Sequence, residues 1–364
     1  MGDKIFIDGN EAIARGAIAA KCQLYAGYPI TPQSEIGEFM SGEFPKLGKV
    51  FIQAEDEIAA IFMVEGASVA GDRAMTSTSS LGFSLMSEGI SHMSSAEMPG
   101  VVVNVMRLGP GAGTIQEGQT DYRQATKGGG HGGYRCIVLA PCSVQECFDL
   151  TQLAFYLADK YRMPVVLLSS YLIGHMAEGV ELSTKDCGPL PEKDYILTGT
   201  ANRSDHVRRI GGLSAFGMRS PGVHESITKR LLGYKEKHQR IAESEIRYDS
   251  YQADDAQLLV VAFGSTSRMA KEAVRLARIE GIKAGLLRPI TLWPFPGKAI
   301  KEAALRAGKV LVVEDNNGQM LEDVECAIQG HVAVRFLGIE GRNIETASGL
   351  IHPERIVQEM KSIL

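Results

Sequence analysis

The strongest constraint on the fold of this chain is a repeated change of apolar period. Short runs rich in β-branched and aromatic residues alternate with stretches whose apolar residues recur at helical spacing. Ile5–Ile7 leads through Asp8-Gly9-Asn10 into the amphipathic stretch Glu11–Lys21. Tyr25–Tyr28 leads to Thr31-Pro32, read as an N-cap followed by proline at the first helical position. Val50–Gln53 precedes an Ala-rich helix from about Asp56 to Ala70, and Ala74–Ser77 precedes a helix near Phe83–Ser95. Val101–Val105 is a buried strand. Ile137–Ala140 precedes the capping box Ser143-Val-Gln-Glu146, whose helix runs to about Lys160, and Pro164–Ser169 is the next strand. This rhythm predicts an α/β fold, a parallel sheet covered on both faces.

From about residue 185 to 252 the rhythm breaks. Charge density rises, and Ser226–Ile246 reads as an exposed helix, so the segment is taken as a linker with an arm. A second, smaller α/β unit follows, with strands Gln257–Phe263, Lys283–Leu287, Lys309–Glu314 and Val332–Leu337 and a last helix opened by Pro353. The expected division is 1–185, an arm over 186–252, and 253–364. Two domains and an arm suit a length of 364 residues.

Composition excludes several classes of partner. Lys plus Arg total 38 against 43 Asp plus Glu, with no basic arm, so no nucleic acid is expected. The longest apolar runs, such as Leu258–Phe263, are strand-length, so no membrane is expected either, and the N-terminus lacks a signal-like apolar core. The six cysteines, Cys22, Cys136, Cys142, Cys147, Cys187 and Cys326, include no Cys-x-x-Cys pair. That scatter predicts a reduced, cytoplasmic chain without an iron–sulfur centre, structural zinc or other metal site of its own.

Glycine is in surplus, with 40 residues against 14 prolines. Part of the surplus lies in Leu108-Gly-Pro-Gly-Ala-Gly-Thr114 and Lys127-Gly-Gly-Gly-His-Gly-Gly133, which bracket a long loop. Such a loop serves either a substrate or a subunit contact. Neither run is a Walker A or dinucleotide motif, and the first turn, Asp8-Gly9-Asn10-Glu11, is not a nicotinamide fingerprint. Ser84 lacks the closing glycine of a hydrolase elbow, where Met86 stands. The hydroxyl run Thr76–Ser80 reads as a strand end and helix cap, and His131 as an exposed loop residue.

Glu55, Asp56 and Glu57 meet a helix N-terminus, where negative charge suits the dipole. Yet Glu57 is followed by Ile58-Ala-Ala-Ile-Phe-Met-Val64, a helix apolar nearly all round and expected to be buried. A carboxylate at its head needs a partner.

Gly27-Tyr28-Pro29-Ile30-Thr31-Pro32, Gln53-Ala-Glu-Asp-Glu57-Ile-Ala-Ala60, Ala125-Thr-Lys-Gly-Gly-Gly-His131 and Arg288-Pro-Ile-Thr-Leu-Trp-Pro-Phe295 resemble the α subunits of 2-oxoacid:ferredoxin oxidoreductases. With Asp121-Tyr122, the likeness runs nearest to 2-oxoisovalerate subunits, then to those for 2-oxoglutarate. The resemblance implies a thiamine diphosphate pyrimidine-binding domain followed by a transketolase C-terminal-like domain. It implies CoA-dependent oxidative decarboxylation of a 2-oxoacid to an acyl-CoA, with ferredoxin as electron acceptor. By motif position Glu57 would hydrogen-bond the aminopyrimidine N1′ of the cofactor, Tyr28, Pro29 and Ile30 would line the cofactor site, and Thr31 would lie near the substrate. Arg107, Arg123 and Lys127 are candidates for the cation that meets the substrate carboxylate, Lys127 first.

No Gly-Asp-Gly occurs, and Gly71-Asp72-Arg73 is a partial echo that reads as a turn. The resemblance therefore implies a β-type partner holding the diphosphate and Mg²⁺, iron–sulfur clusters on partner subunits, and a ferredoxin-like subunit and a γ-type subunit that helps with CoA. Two alternatives stand beside it: a non-redox, transketolase-like or decarboxylase half-enzyme, and a non-catalytic assembly subunit.

Overall fold

The computed structural model describes residues 4–112, 114–193, 195–196, 223–343 and 349–364, so residues 197–222 of the expected arm lie outside it. The chain runs β1 (Lys4–Asp8), α1 (Gly9–Ala19), β2 (Leu24–Gly27), α2 (Ser34–Glu43), β3 (Val50–Gln53), α3 (Glu57–Val69), β4 (Ala74–Thr78), α4 (Ser80–Ala96) and β5 (Gly100–Met106). It continues through α5 (Tyr122–Lys127), β6 (Ile137–Leu139), α6 (Val144–Tyr161), β7 (Pro164–Ser170), α7 (Tyr171–His175), β8 (Ala177–Glu181) and α8 (Val223–Ser244). The second unit comprises β9 (Tyr248–Tyr251), β10 (Leu258–Val261), α9 (Gly264–Ile279), β11 (Ala284–Pro289), β12 (Thr291–Trp293), α10 (Gly297–Ala307), β13 (Val310–Val313), α11 (Gln319–Ile328), β14 (Val334–Leu337) and α12 (Pro353–Ile363).

The first sheet has seven strands in the order β12-β6-β7-β5-β4-β2-β3. All pair in parallel except β12, which joins β6 antiparallel. The second has five, β14-β13-β10-β11-β9, with only β9 antiparallel. Strand alternation sorts the core: Val101, Val103 and Val105 face α1 and α6, while Val102 and Met106 face α3 and α4. One apolar cluster runs through both units, from Ile61 and Val102 to Val261 and Val312.

Three local expectations change. The first strand does not enter the main sheet: β1 forms a two-stranded ribbon with β8, and Phe6 is 77% exposed. Asp8 caps α1 through Glu11 N at 2.7 Å, and a Cβ on Gly9 would stand 2.0 Å from Ile173 O, so the chain is locked against α7 instead. The capping box is also rewired. Ser143 accepts from Glu146 N at 3.1 Å, but the Glu146 carboxylate takes Cys142 N and both guanidinium arms of Arg288, at 2.8 and 2.7 Å. With β12 in the first sheet, the Arg288–Phe295 motif thus fastens the two units together. Finally, the loop from 108 to 133 contains the short helix α5.

Candidate active site

Four adjacent strands, β5, β4, β2 and β3, deliver the candidate residues from their carboxyl ends, where open α/β sheets bind ligands. Asp56 rather than Glu57 fills the cap of α3, accepting from Ala59 N at 2.7 Å. Glu57 is left free of capping duty and is only 4% exposed. Burial pushes its carboxyl above the usual range; its own backbone N–H opposes that shift, and the neighbouring Asp56 charge adds to it.

Glu57 lies against the first turn of α4. A Cβ on Gly82 would fall 2.0 Å from Thr78 Oγ1 and 2.4 Å from Glu57 Oε1, so only glycine admits this approach. Thr78 Oγ1 and Ser79 Oγ are buried with no hydrogen-bond partner among the described residues. Ser79 occupies the cap position of α4 without making a side-chain cap bond; Gly82 N donates to the Ser79 backbone carbonyl at 2.8 Å, and Ser80 N to Asn104 Oδ1 at 2.9 Å. The expected cap is therefore unused.

The Tyr28–Pro32 loop is held from two sides. Tyr25 Oη and Ser77 Oγ share a bond of 2.6 Å, Ser77 donates to Gln33 Oε1 at 2.5 Å, and Gln33 Nε2 donates to Tyr28 O at 3.0 Å. Asn10 Nδ2 donates to Pro32 O at 2.8 Å and to Glu35 Oε2 at 2.9 Å. This bracing keeps Pro32 out of the helix, which starts at Ser34, so Thr31-Pro32 is a turn rather than the expected cap and first position. Thr31, Tyr28 and Pro29 are exposed, and Ile30 is half-buried.

Arg107 leaves the end of β5 and turns under that loop. Its Nη1 donates to Thr31 O at 2.8 Å and its Nη2 to Ala112 O at 3.3 Å, while Nε is buried without a partner among the described residues. The first Gly-rich run thereby folds over Arg107. The second lies on α4, where a Cβ on Gly130 would fall 2.2 Å from Ser87 O, with His131 exposed beyond it. Arg123 and Lys127 point elsewhere: they pair with Glu322 and Asp323 of α11, and Tyr122 Oη donates to Asp323 at 2.7 Å. The structure thus brings Arg107 to Thr31 and takes the other two cations to the second unit.

Thr78, Gly82 and Asn104, which pack around Glu57 and the start of α4, were not singled out as site residues from the sequence. The hydroxyl run 76–80 was the available signal. Sequence reasoning also misread α3, whose apolar residues are not all covered: Ile58, Phe62 and Leu85 of neighbouring α4 are 44%, 42% and 50% exposed. Among the described residues no three His, Cys, Asp or Glu side chains are grouped to hold a metal, and no helix is long and apolar enough to cross a membrane.

Comparisons with known proteins agree on one relationship. Residues 15–204 match the thiamine diphosphate-binding family model of pyruvate flavodoxin/ferredoxin oxidoreductases, and residues 256–348 match core domain II of pyruvate:ferredoxin oxidoreductase. Ketoisovalerate oxidoreductase subunit VorB of Methanothermobacter thermautotrophicus is 46% identical over 321 residues, 88% of this chain and 89% of that one. 2-Oxoglutarate synthase subunit KorA of the same organism is 38% identical, covering 97% of this chain and 98% of its own length. Among solved structures, 2-oxoglutarate:ferredoxin oxidoreductase from Magnetococcus marinus, with 2-oxoglutarate, coenzyme A and succinyl-CoA bound, superposes with a TM-score of 0.79 at 27% identity. It covers 99% of this chain, which spans 65% of that longer one. A split-gene transketolase, at 13% identity and a TM-score of 0.58, shares the fold.

Proposed function

The chain belongs to the 2-oxoacid:ferredoxin oxidoreductase family, and from that premise we propose that it is the α-type subunit of a complex that oxidatively decarboxylates a 2-oxoacid. The products are an acyl-CoA and CO₂, and the electrons go to ferredoxin. One observation carries this reading: Glu57, buried and uncapped, shares the carboxyl edge of one sheet with the Thr31–Arg107 pair.

The residues present fit thiamine diphosphate. Gly82 lets Glu57 pack against the first turn of α4, and the Thr78 hydroxyl beside them is buried with no hydrogen-bond partner among the described residues. When bound, that cofactor supplies the carbon nucleophile and electron sink that decarboxylation needs. Glu57, holding its proton more firmly than an ordinary carboxylate, would hydrogen-bond the aminopyrimidine ring nitrogen. Thr31 would hydrogen-bond a substrate oxygen without adding charge, with Tyr28, Pro29 and Ile30 alongside. Arg107 would supply the positive charge for the substrate carboxylate, in place of Lys127 and Arg123, which are already paired.

A β-type subunit bringing the diphosphate-binding half and Mg²⁺ would seat on the exposed Ile58, Phe62 and Leu85 beside Glu57. Iron–sulfur clusters would sit on partner subunits, the ferredoxin-like one included, with a γ-type subunit helping with CoA, since the six cysteines here are scattered. The favoured substrate is 2-oxoisovalerate, then 2-oxoglutarate; the pairing of Arg123 and Lys127 with α11 leaves neither loop cation spare for a second carboxylate. Reduction of a viologen dye by the assembled complex, with CoA and a panel of 2-oxoacids, tests the assignment. Fastest turnover with branched 2-oxoacids is expected, and no CoA-dependent reduction with any member would refute it.

A further inference from the structure

Gln119 has no surface exposed, yet it lies in the loop between the two Gly-rich runs. Each of its polar groups is satisfied, and every partner belongs to the second unit. Its backbone N–H donates to Asp315 O at 2.9 Å, and its carbonyl accepts from Asn316 Nδ2 at 2.8 Å. Its Nε2 donates to Phe263 O at 2.8 Å, while Oε1 accepts from Thr266 Oγ1 at 2.6 Å and Asp315 N at 3.0 Å. Gly264, at φ +53°, makes room: a Cβ there would stand 3.1 Å from Gln119 Nε2. A buried network this fully paired has one low-energy arrangement.

The neighbours of Gln119 carry that placement to Arg107. Thr120 Oγ1 donates to Arg107 O at 3.2 Å, and Arg107 N donates to Ser80 Oγ at 3.1 Å. Ser80 in turn donates to Asp121 at 2.6 Å, and Asn104 Nδ2 donates to the same carboxylate oxygen at 3.0 Å. The backbone of Arg107 is therefore held at its carbonyl by Thr120, next to Gln119, and at its N–H by Ser80, which bonds Asp121 two positions along. The guanidinium end of that lever touches Thr31 O.

We propose that Gln119 is a positioning residue through which the second unit sets the place of Arg107, and hence the affinity for the 2-oxoacid, without touching the substrate. This rests on Arg107 as the carboxylate cation. The test uses the assembled complex and compares Thr266→Val, which deletes one bond to Gln119 at constant shape, with Thr266→Ser, which keeps the hydroxyl. Thr266→Val should raise KM for the 2-oxoacid about three- to tenfold, with kcat changed less than about twofold and KM for CoA unmoved. Thr266→Ser should restore the parent value. Gln119→Ala should show a larger rise in the same constant; if it fails to assemble, the Thr266 pair decides. A lowered melting temperature with KM unchanged in Thr266→Val would overturn the proposal and leave a purely structural role. An unchanged KM in Arg107→Ala would instead bring down the reading beneath it.

Discussion

Arg107 Nη1 donates to the carbonyl oxygen of Thr31 across 2.8 Å, joining residues that sequence separates by 76 positions. Arg107 is nearly buried beneath the loop, while Thr31 is exposed at the same edge of the sheet. The pair sets a positive charge beside an open hydroxyl.

Removing that cation should weaken the complex for its substrate more than for CoA. Arg107→Ala is expected to lower kcat/KM for the 2-oxoacid roughly 10- to 100-fold, the loss of a hydrogen bond to a charged group of about 1.5–3 kcal/mol. Steady-state kinetics with both substrates varied would check it. Lys127→Ala should change the same ratio far less.

Gly82 tests the packing behind Glu57. In Gly82→Ala the new methyl must displace Thr78 or Glu57, at about 1–3 kcal/mol. We expect thermal unfolding of the chain to shift down and stabilisation of the complex by added thiamine diphosphate to be lost. Retained cofactor stabilisation would mean that the close packing of Glu57 on Gly82 is not needed to hold the cofactor.

The exposed face of α3 and α4 tests the partner. Phe62→Asp changes a half-exposed side chain, so the chain alone should hold its stability within about 0.5 kcal/mol. Co-purification with the β-type subunit should fail. Normal co-purification would place the partner on another surface.

The junction carries a pH dependence. Burial pushes Glu117 from its ordinary 4.5 up to about 7, against bonds from Ser265 Oγ at 2.5 Å and Leu172 N at 2.6 Å. The fold thus holds a proton that the unfolded chain releases. Its contribution is complete below about pH 4.5 and is lost as pH rises through 7. Glu314, at about 7, and Asp315, at about 6 despite Arg342, are raised by burial in the same sense. Melting temperature should fall between pH 5 and 8, and Glu117→Gln should make that fall shallower. An identical slope in the variant would rule out Glu117 as its source.

The burial of Glu57 was legible because its motif is local, an acid heading an apolar run, whereas Thr31-Pro32 read as a helix cap because its bracing partners Asn10 and Ser77 are distant in sequence. Arg107 was not separable from Arg123 and Lys127, since all three flank glycine-rich sequence. What separates them is Glu322 and Asp323, about two hundred residues away, which claim the other two. Separations of 144 to 197 positions likewise hid the partners of Gln119, from Phe263 to Asn316. The β1 strand was legible as a strand but not as a ribbon, because its sequence carries the period and not the pairing partner. The α3 helix was read as buried from its apolar sequence, yet Ile58 and Phe62 stay exposed in the single chain.

The central claim is that Glu57 acts on a cofactor shared with a partner. Glu57→Gln conserves shape and burial while removing the titrating proton. The decisive measurement is CoA-dependent viologen reduction by the assembled complex carrying that change. An assembled complex with no measurable turnover is expected; near-normal turnover would show that Glu57 does not act on the cofactor.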